Sequence, residues 1–184
     1  MVRDTVVKDV IEVPEGVEVS CNGLKVRVKG PKGELVKDFS HVRGVNLLLT
    51  GNKIVVYSFF PDRKSKALVY TVGAHVRNMI TGVLRGFRYK LKIVFSHFPM
   101  TVKVSDGKVI IENFLGERAP RVAKIVGNVK VYVKGDDVVV EGIDIEEVGQ
   151  TAANIERATK IRDLDRRVFV DGIYIYERGY ADGG

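Results

Sequence analysis

From Asn154 to Gly179 the chain reads NIERATKIRDLDRRVFVDGIYIYERG. Arg157, Lys160, Arg162, Arg166 and Arg167 alternate there with Asp163 and Asp165. Arginine carries a planar, permanently charged fork suited to bidentate contacts with phosphate and guanine. The aspartates allow two readings. They neutralise the arginines in a salt-bridged surface segment, or they orient the guanidinium groups towards an anion.

A second cluster, GFRYKLKIVFSHFP at 86–99, combines aromatic and cationic residues with no acid. Period two places Phe87, Tyr89, Leu91, Ile93 and Phe95 on one face, and Arg88, Lys90, Lys92 and Val94 on the other. The aromatics are therefore expected in a core rather than on a stacking platform. The cations should form an outer ridge close to Arg85. Like charges at this spacing repel, and a polyanion would relieve that cost. Gly30-Pro31-Lys32-Gly33 has the GxxG pattern of the KH backbone clamp. Strand-like VRV and ELV flank it, so a β-turn is predicted, with Lys29 and Lys32 in reach of phosphate.

Catalytic chemistry is not legible. His41, His75 and His97 are scattered, without HxH, HExxH or cysteine partners at ligand spacing. Cys21, the single cysteine, abuts a turn and reads as a small buried filler. His75 falls one residue off a helical apolar stripe, as a packed histidine would. There is no Walker motif, GxSxG or GxGxxG. No catalytic residue, cofactor, metal or small-molecule substrate is expected. One thiol fits a reducing compartment. Charges interrupt the apolar runs of the first residues, and no membrane span is expected.

The elements that must position these clusters occur twice. Asn22-Gly23 and Asp106-Gly107 each separate strand-like runs, as do Gly51-Asn52 and Gly135-Asp136. The spacing from Gly23 to Gly51 recurs from Gly107 to Gly135, and Val45, Leu47, Leu49, Ile54 and Val55 repeat as Val129, Val131, Val133, Val138 and Val139. A helix is predicted after each half. The first spans 63–84, on a stripe of Leu68, Val72, Val76, Met79, Ile80 and Val83. The second spans 145–159, on Val148, Ala152, Ile155 and Ala158, with Asp144 and Glu147 as a capping-box variant. The fold class is α+β: two tandem duplicated domains, each a small antiparallel sheet with one helix packed on a face. The expected organisation is an N-terminal arm at 1–10, a first repeat at 11–85, a second at 86–160 and an extended tail at 161–184, with a possible strand at FVDGIYIY. Gly23 and Gly107 should need positive φ.

The net charge is +7 across 184 residues. From 63 to 105 there are nine lysines or arginines and no acid, leaving twenty-one bases against twenty-three acids elsewhere. All the surplus positive charge lies in this segment, which points to a phosphate polymer as partner.

IEVPEGVEV (11–19), KGPKGEL (29–35), GFRYKLKIVFSHFP (86–99), NFLGERAPRV (113–122), GQTAANIE (149–156) and IRDLDRRVFVDGIYIYERG (161–179) resemble the sixth protein of the large ribosomal subunit in its archaeal and eukaryotic form. The resemblance covers nearly the whole chain. It implies a cytoplasmic, ribosome-bound structural protein that binds large-subunit ribosomal RNA near the stalk base and the sarcin–ricin loop, beside neighbouring ribosomal proteins. It implies that the second half is the main RNA-binding half. Carried over, this favours Gln150, Asn154, Arg157, Lys160, Arg162, Arg166, Arg167, Asp171, Gly172 and Tyr174, with Arg85, Arg88, Lys90 and Lys92 as a secondary site. The lysine-rich ending of bacterial members is missing. The alternatives are a free RNA-binding module or RNA chaperone, which would bind many RNAs without ribosomes, and an RNA-acting enzyme, which would need an acid–base pair not found here.

Overall fold

The computed structural model describes residues 5–162, 165 and 167–182. The chain divides after Arg85 into two compact units. The first runs β1 (Val6–Glu12), β2 (Glu18–Asn22), β3 (Lys25–Gly30), β4 (Gly33–Asp38), β5 (Asn46–Thr50), β6 (Lys53–Phe59) and α1 (Arg63–Leu84). The second runs β7 (Phe87–Val94), β8 (Thr101–Ser105), β9 (Lys108–Glu112), a 3-10 turn at Phe114–Gly116, β10 (Arg121–Lys124), β11 (Lys130–Lys134), β12 (Asp137–Gly142), α2 (Ile145–Ala158) and β13 (Gly172–Tyr180).

Each unit holds two antiparallel sheets, not one. In the first they are β1-β6-β5 and β2-β3-β4; in the second, β10-β9-β8 and β11-β12-β7-β13. The helix supplies the shared apolar stripe. Val72, Val76, Met79, Ile80 and Val83 of α1 join Val7, Ile11, Val26, Val28, Ile54 and Val56 in one core. Val148, Ala152 and Ile155 of α2 join Phe87, Leu91, Val138, Val140 and Ile173 in the other.

The expected arm at 1–10 is corrected. From Val6 onwards it is β1, paired along its length with β6. Its charges read as a loose segment because Asp9 lies on the inward side with Val7 and Ile11. The Asp9 carboxylate is met there by Arg77 of α1, in a space left by Gly73, where a Cβ would lie 2.0 Å from Asp9 Oδ2. β7 occupies the corresponding place beside β12. The possible strand in the tail is present as β13 (Gly172–Tyr180), but it is an edge of the second unit's four-stranded sheet, so the tail is not separate from the second repeat. The strand starts at Gly172 rather than Phe169 because Asp171 and the residues before it pack as a loop.

The turns largely follow their sequence. Gly23, Gly51, Gly107 and Gly135 all have positive φ. Asn22 pairs with Lys25, so the first loop is Gly23-Leu24, one residue later than Asn22-Gly23. In the second repeat Asp106 and Gly107 both take positive φ, which aspartate tolerates and leucine resists.

Candidate nucleic-acid interface

The GPKG segment is the β3–β4 turn, with Gly30 opposite Gly33. It docks on the end of α1. Lys32 N donates to Val83 O at 2.9 Å, and Lys32 Nζ donates to Arg85 O. A Cβ on Gly30 would lie 2.7 Å from Val83. Lys32 thus supplies the cation that the last turn of α1 lacks, so its ammonium serves the helix end rather than standing ready for phosphate. Lys29 lies 3.8 Å from Glu18.

The strand ridge is also compensated within the fold. Arg88 lies 3.9 Å from Glu141, Lys90 3.0 Å from Glu177 and Lys92 3.3 Å from Asp137. Each acid stands directly opposite its base in the sheet. Asp137 Oδ1 has ion-pair distance to Lys92 but no hydrogen bond. Arg77 and Lys103 pair with Asp9 and Glu112. At least five of the nine bases in the acid-free segment therefore meet acids from outside it, and the repulsion expected along β7 is relieved by β12 and β13. Arg85 closes the first unit at the C-cap of α1. Phe87 is buried as expected, whereas Phe95, just past the end of β7, is 45% exposed.

The far end of α2 is arranged differently. Asp144 caps its start by accepting from Glu146 N at 2.9 Å. Glu147 does not complete the predicted capping box; its carboxylate accepts instead from Asn128 N at 3.1 Å. Gln150 Nε2 donates to Asn154 Oδ1, and Asn154 Nδ2 donates to Lys124 O, tying α2 to β10. Arg121 caps the helix end, donating to Ala158 O at 2.9 Å and Lys160 O at 3.2 Å. Its other nitrogens bind Glu117, and it lies 4.2 Å over the Phe114 ring. Its hydrogen bonds hold the Glu117 carboxyl below the usual carboxylate value.

The edge of β13 is covered by the same helix. Ile173 N donates to Thr159 Oγ1 at 2.9 Å and Ile175 N to Glu156 Oε1 at 3.3 Å. Arg157, Lys160 and Arg162 are exposed, and their side chains make no ion pair with a described residue. Arg157 and Lys160 flank a cleft whose other walls are Glu156, Thr159, Ile161 and Tyr174. Arg167 pairs with its neighbour Asp165 at 3.0 Å. Arg166 and Asp163 lie outside the described residues.

Asp171 is buried and structural. It accepts from Ser96 Oγ at 2.9 Å and contacts His97 Nδ1 at 3.0 Å, besides receiving Ser96 N–H. The His97 ring stacks on Phe169, centroids 4.7 Å apart. Burial pushes the Asp171 carboxyl up, but the donors from Ser96 and His97 together outweigh it and hold it below the usual aspartate value. The cluster is not a catalytic triad: Ser96 Oγ and Asp171 both reach the same ring nitrogen, Nδ1, whereas a relay needs both nitrogens. Among the described residues no group of histidine, cysteine or acid side chains is disposed to hold a metal, and no helix is long and apolar enough to cross a membrane.

So Arg157, Lys160 and Tyr174 come together on one cleft. Gln150, Asn154 and Asp171 hold elements in place, and Gly172 gives room to the Tyr174 ring. Reasoning from the sequence missed Glu156 and Arg121. The NFLGERAPRV stretch marked Arg121, but nothing in periodicity tied it to a helix end some forty residues later.

Comparison with known proteins agrees across both repeats. The ribosomal protein L6 family matches residues 13–86 and 98–172. The large ribosomal subunit protein uL6 of Desulfurococcus amylolyticus is 60% identical over 183 residues, covering 98% of this chain and 100% of that protein. That of Staphylothermus marinus is 60% identical over 182 residues, 97% and 98% of the two chains. That of Methanobrevibacter smithii is 53% identical over 178 residues, 97% and 99%. With both repeats matched and similarity running along nearly the whole length, the chain belongs to the ribosomal protein L6 family.

Proposed function

We propose that the end of α2, with the loop after it and the start of β13, is the principal surface by which this chain binds large-subunit ribosomal RNA. As a member of its family the chain is a structural constituent of the large ribosomal subunit in the cytoplasm and not an enzyme; its partners are ribosomal RNA and ribosomal proteins. The observation supporting the site is the set of three exposed cations, Arg157, Lys160 and Arg162, with no ion pair to a described residue, where the β7 ridge is answered base by base. Gln150, Asn154, Arg166, Arg167, Asp171, Gly172 and Tyr174 complete the proposed region as contacts or supports. Arg85, at the end of the first unit, and Arg88, Lys90 and Lys92, on β7 of the second, are proposed as secondary contacts; the Lys90 and Lys92 ion pairs are partly exposed to solvent, where such pairs are worth only ~0–1 kcal/mol and a phosphate can compete for them. Recognition runs through phosphates, 2′-hydroxyls and helix shape, because the A-form major groove is too deep and narrow to read. The proposed position is the stalk base, near the sarcin–ricin loop.

The test is binding of the full chain to large-subunit ribosomal RNA across a salt series. Changing Arg157, Lys160 and Arg162 together to alanine should flatten the log–log slope by about one for every phosphate no longer neutralised. An unchanged slope would reject the site. Equal binding to unrelated RNAs would favour the free-module reading.

A further inference from the structure

The cleft between the end of α2 and the edge of β13 has a chemistry of its own. It measures about 270 Å³, a little below the ~300–1,000 Å³ of typical ligand pockets. That is room for one heterocycle and not for a nucleic-acid duplex. Thr159 and Ile161, both buried, are part of its lining. Tyr174 forms one wall. Its hydroxyl donates to Val170 O at 3.1 Å, and its ring rests against Gly172, where a Cβ would come within 2.9 Å of it. The ring is thus fixed in orientation yet 43% exposed, so stacking on it costs little side-chain entropy. Glu156 also lines the cleft, and its Oε1 accepts from Ile175 N. A carboxylate accepts several hydrogen bonds, so further capacity remains. It also repels a phosphate, leaving anions to the exposed Arg157 and Lys160, which line the same cleft.

Resting on the RNA-binding reading above, the geometry points to this cleft as the seat of a single unstacked nucleobase, with guanine favoured. The base stacks on Tyr174, and its N–H groups donate to Glu156. The phosphates on either side of the nucleotide meet Arg157 and Lys160. Guanine is favoured because its Watson–Crick edge presents adjacent ring and exocyclic N–H donors, which match one carboxylate. Splayed bases stacked on aromatic side chains are the usual means of reading RNA by sequence.

The experiment uses the full chain bound to large-subunit ribosomal RNA, with kethoxal as the probe, since that reagent attacks the guanine edge that Glu156 would cover. The expected result is one unpaired guanosine protected by the unaltered chain and by Tyr174→Phe, but exposed by Tyr174→Ala and by Glu156→Gln. Tyr174→Ala should also weaken binding about tenfold, the scale of one base–aromatic stack. If binding persists and the same bases are protected in all four proteins, the cleft holds no base and the inference is overturned, with the RNA-binding reading intact. If the unaltered chain shows no salt-dependent binding, both fall.

Discussion

Asp171→Asn and Asp171→Ala separate a structural role from an RNA-contacting one. Asp171 is 1% exposed, and its carboxylate receives donors from Ser96 N, Ser96 Oγ and His97 Nδ1. Hydrogen bonds to a charged group contribute about 1.5–3 kcal/mol each, but donors sharing one carboxylate do not add in full. Alanine should therefore cost the second unit about 3 kcal/mol at neutral pH. Asparagine keeps the oxygen that Ser96 uses and should cost about 1–2 kcal/mol. Hydrogen exchange read by mass spectrometry resolves the two units, and only amides from residue 86 onward should exchange faster. The pH dependence has a definite sign. A carboxyl held below its unfolded value of about 3.9 stabilises the fold above that pH and loses the contribution as pH falls through the folded value. The gap between the unaltered chain and Asp171→Asn should therefore close on acidification below about pH 4. RNA affinity should fall no further than the unfolded fraction accounts for. An asparagine variant with full stability, or one that is stable yet loses RNA binding with an altered salt slope, would refute the structural role.

Three further outcomes follow from the geometry. Gly23→Val and Gly107→Val should each destabilise their own unit by about 1–2 kcal/mol through backbone strain alone, since open space surrounds both positions; thermal melting with unchanged midpoints would contradict this. Gly73→Ala should destabilise the first unit despite a helix-propensity gain of about 1 kcal/mol, and become stabilising in an Asp9→Ala background, as urea titration of the single and double variants would show. Arg121→Met should cost the second unit about 2 kcal/mol and let the Glu117 carboxyl return upward towards its ordinary value, visible by NMR titration of that carboxyl.

Local signals were the legible ones. Asp62 and Asp144 cap helices at the predicted starts, because a cap is a contact between neighbours in sequence. The duplicated Gly-Asx turns gave the hairpins the same register: Thr50 faces Lys53 as Lys134 faces Asp137. Alternation placed Phe87, Leu91 and Ile93 in the core. Glu147 escaped because its partner, Asn128, precedes it by nineteen residues rather than three. Within the site, Arg157 and Lys160 stood out by type and Tyr174 was implied by the resemblance, yet their convergence on one cleft, and Glu156 as its acid, were not visible.

The chain's own order of residues determined the two repeats, their helices and turns, and the α+β class, since each depends on φ preference or on periodicity over one or two turns of chain. It also displayed an acid-free basic segment. What that charge does was decided only by the tertiary structure, because sheet partners come from distant sequence and an ion pair depends on distance through space. Glu141, Glu177 and Asp137 lie forty-five to eighty-seven residues from the bases they meet. Along β7 the charge is answered within the sheet, whereas Arg157, Lys160 and Arg162 stand exposed at and just past the end of α2 without an ion pair to a described residue.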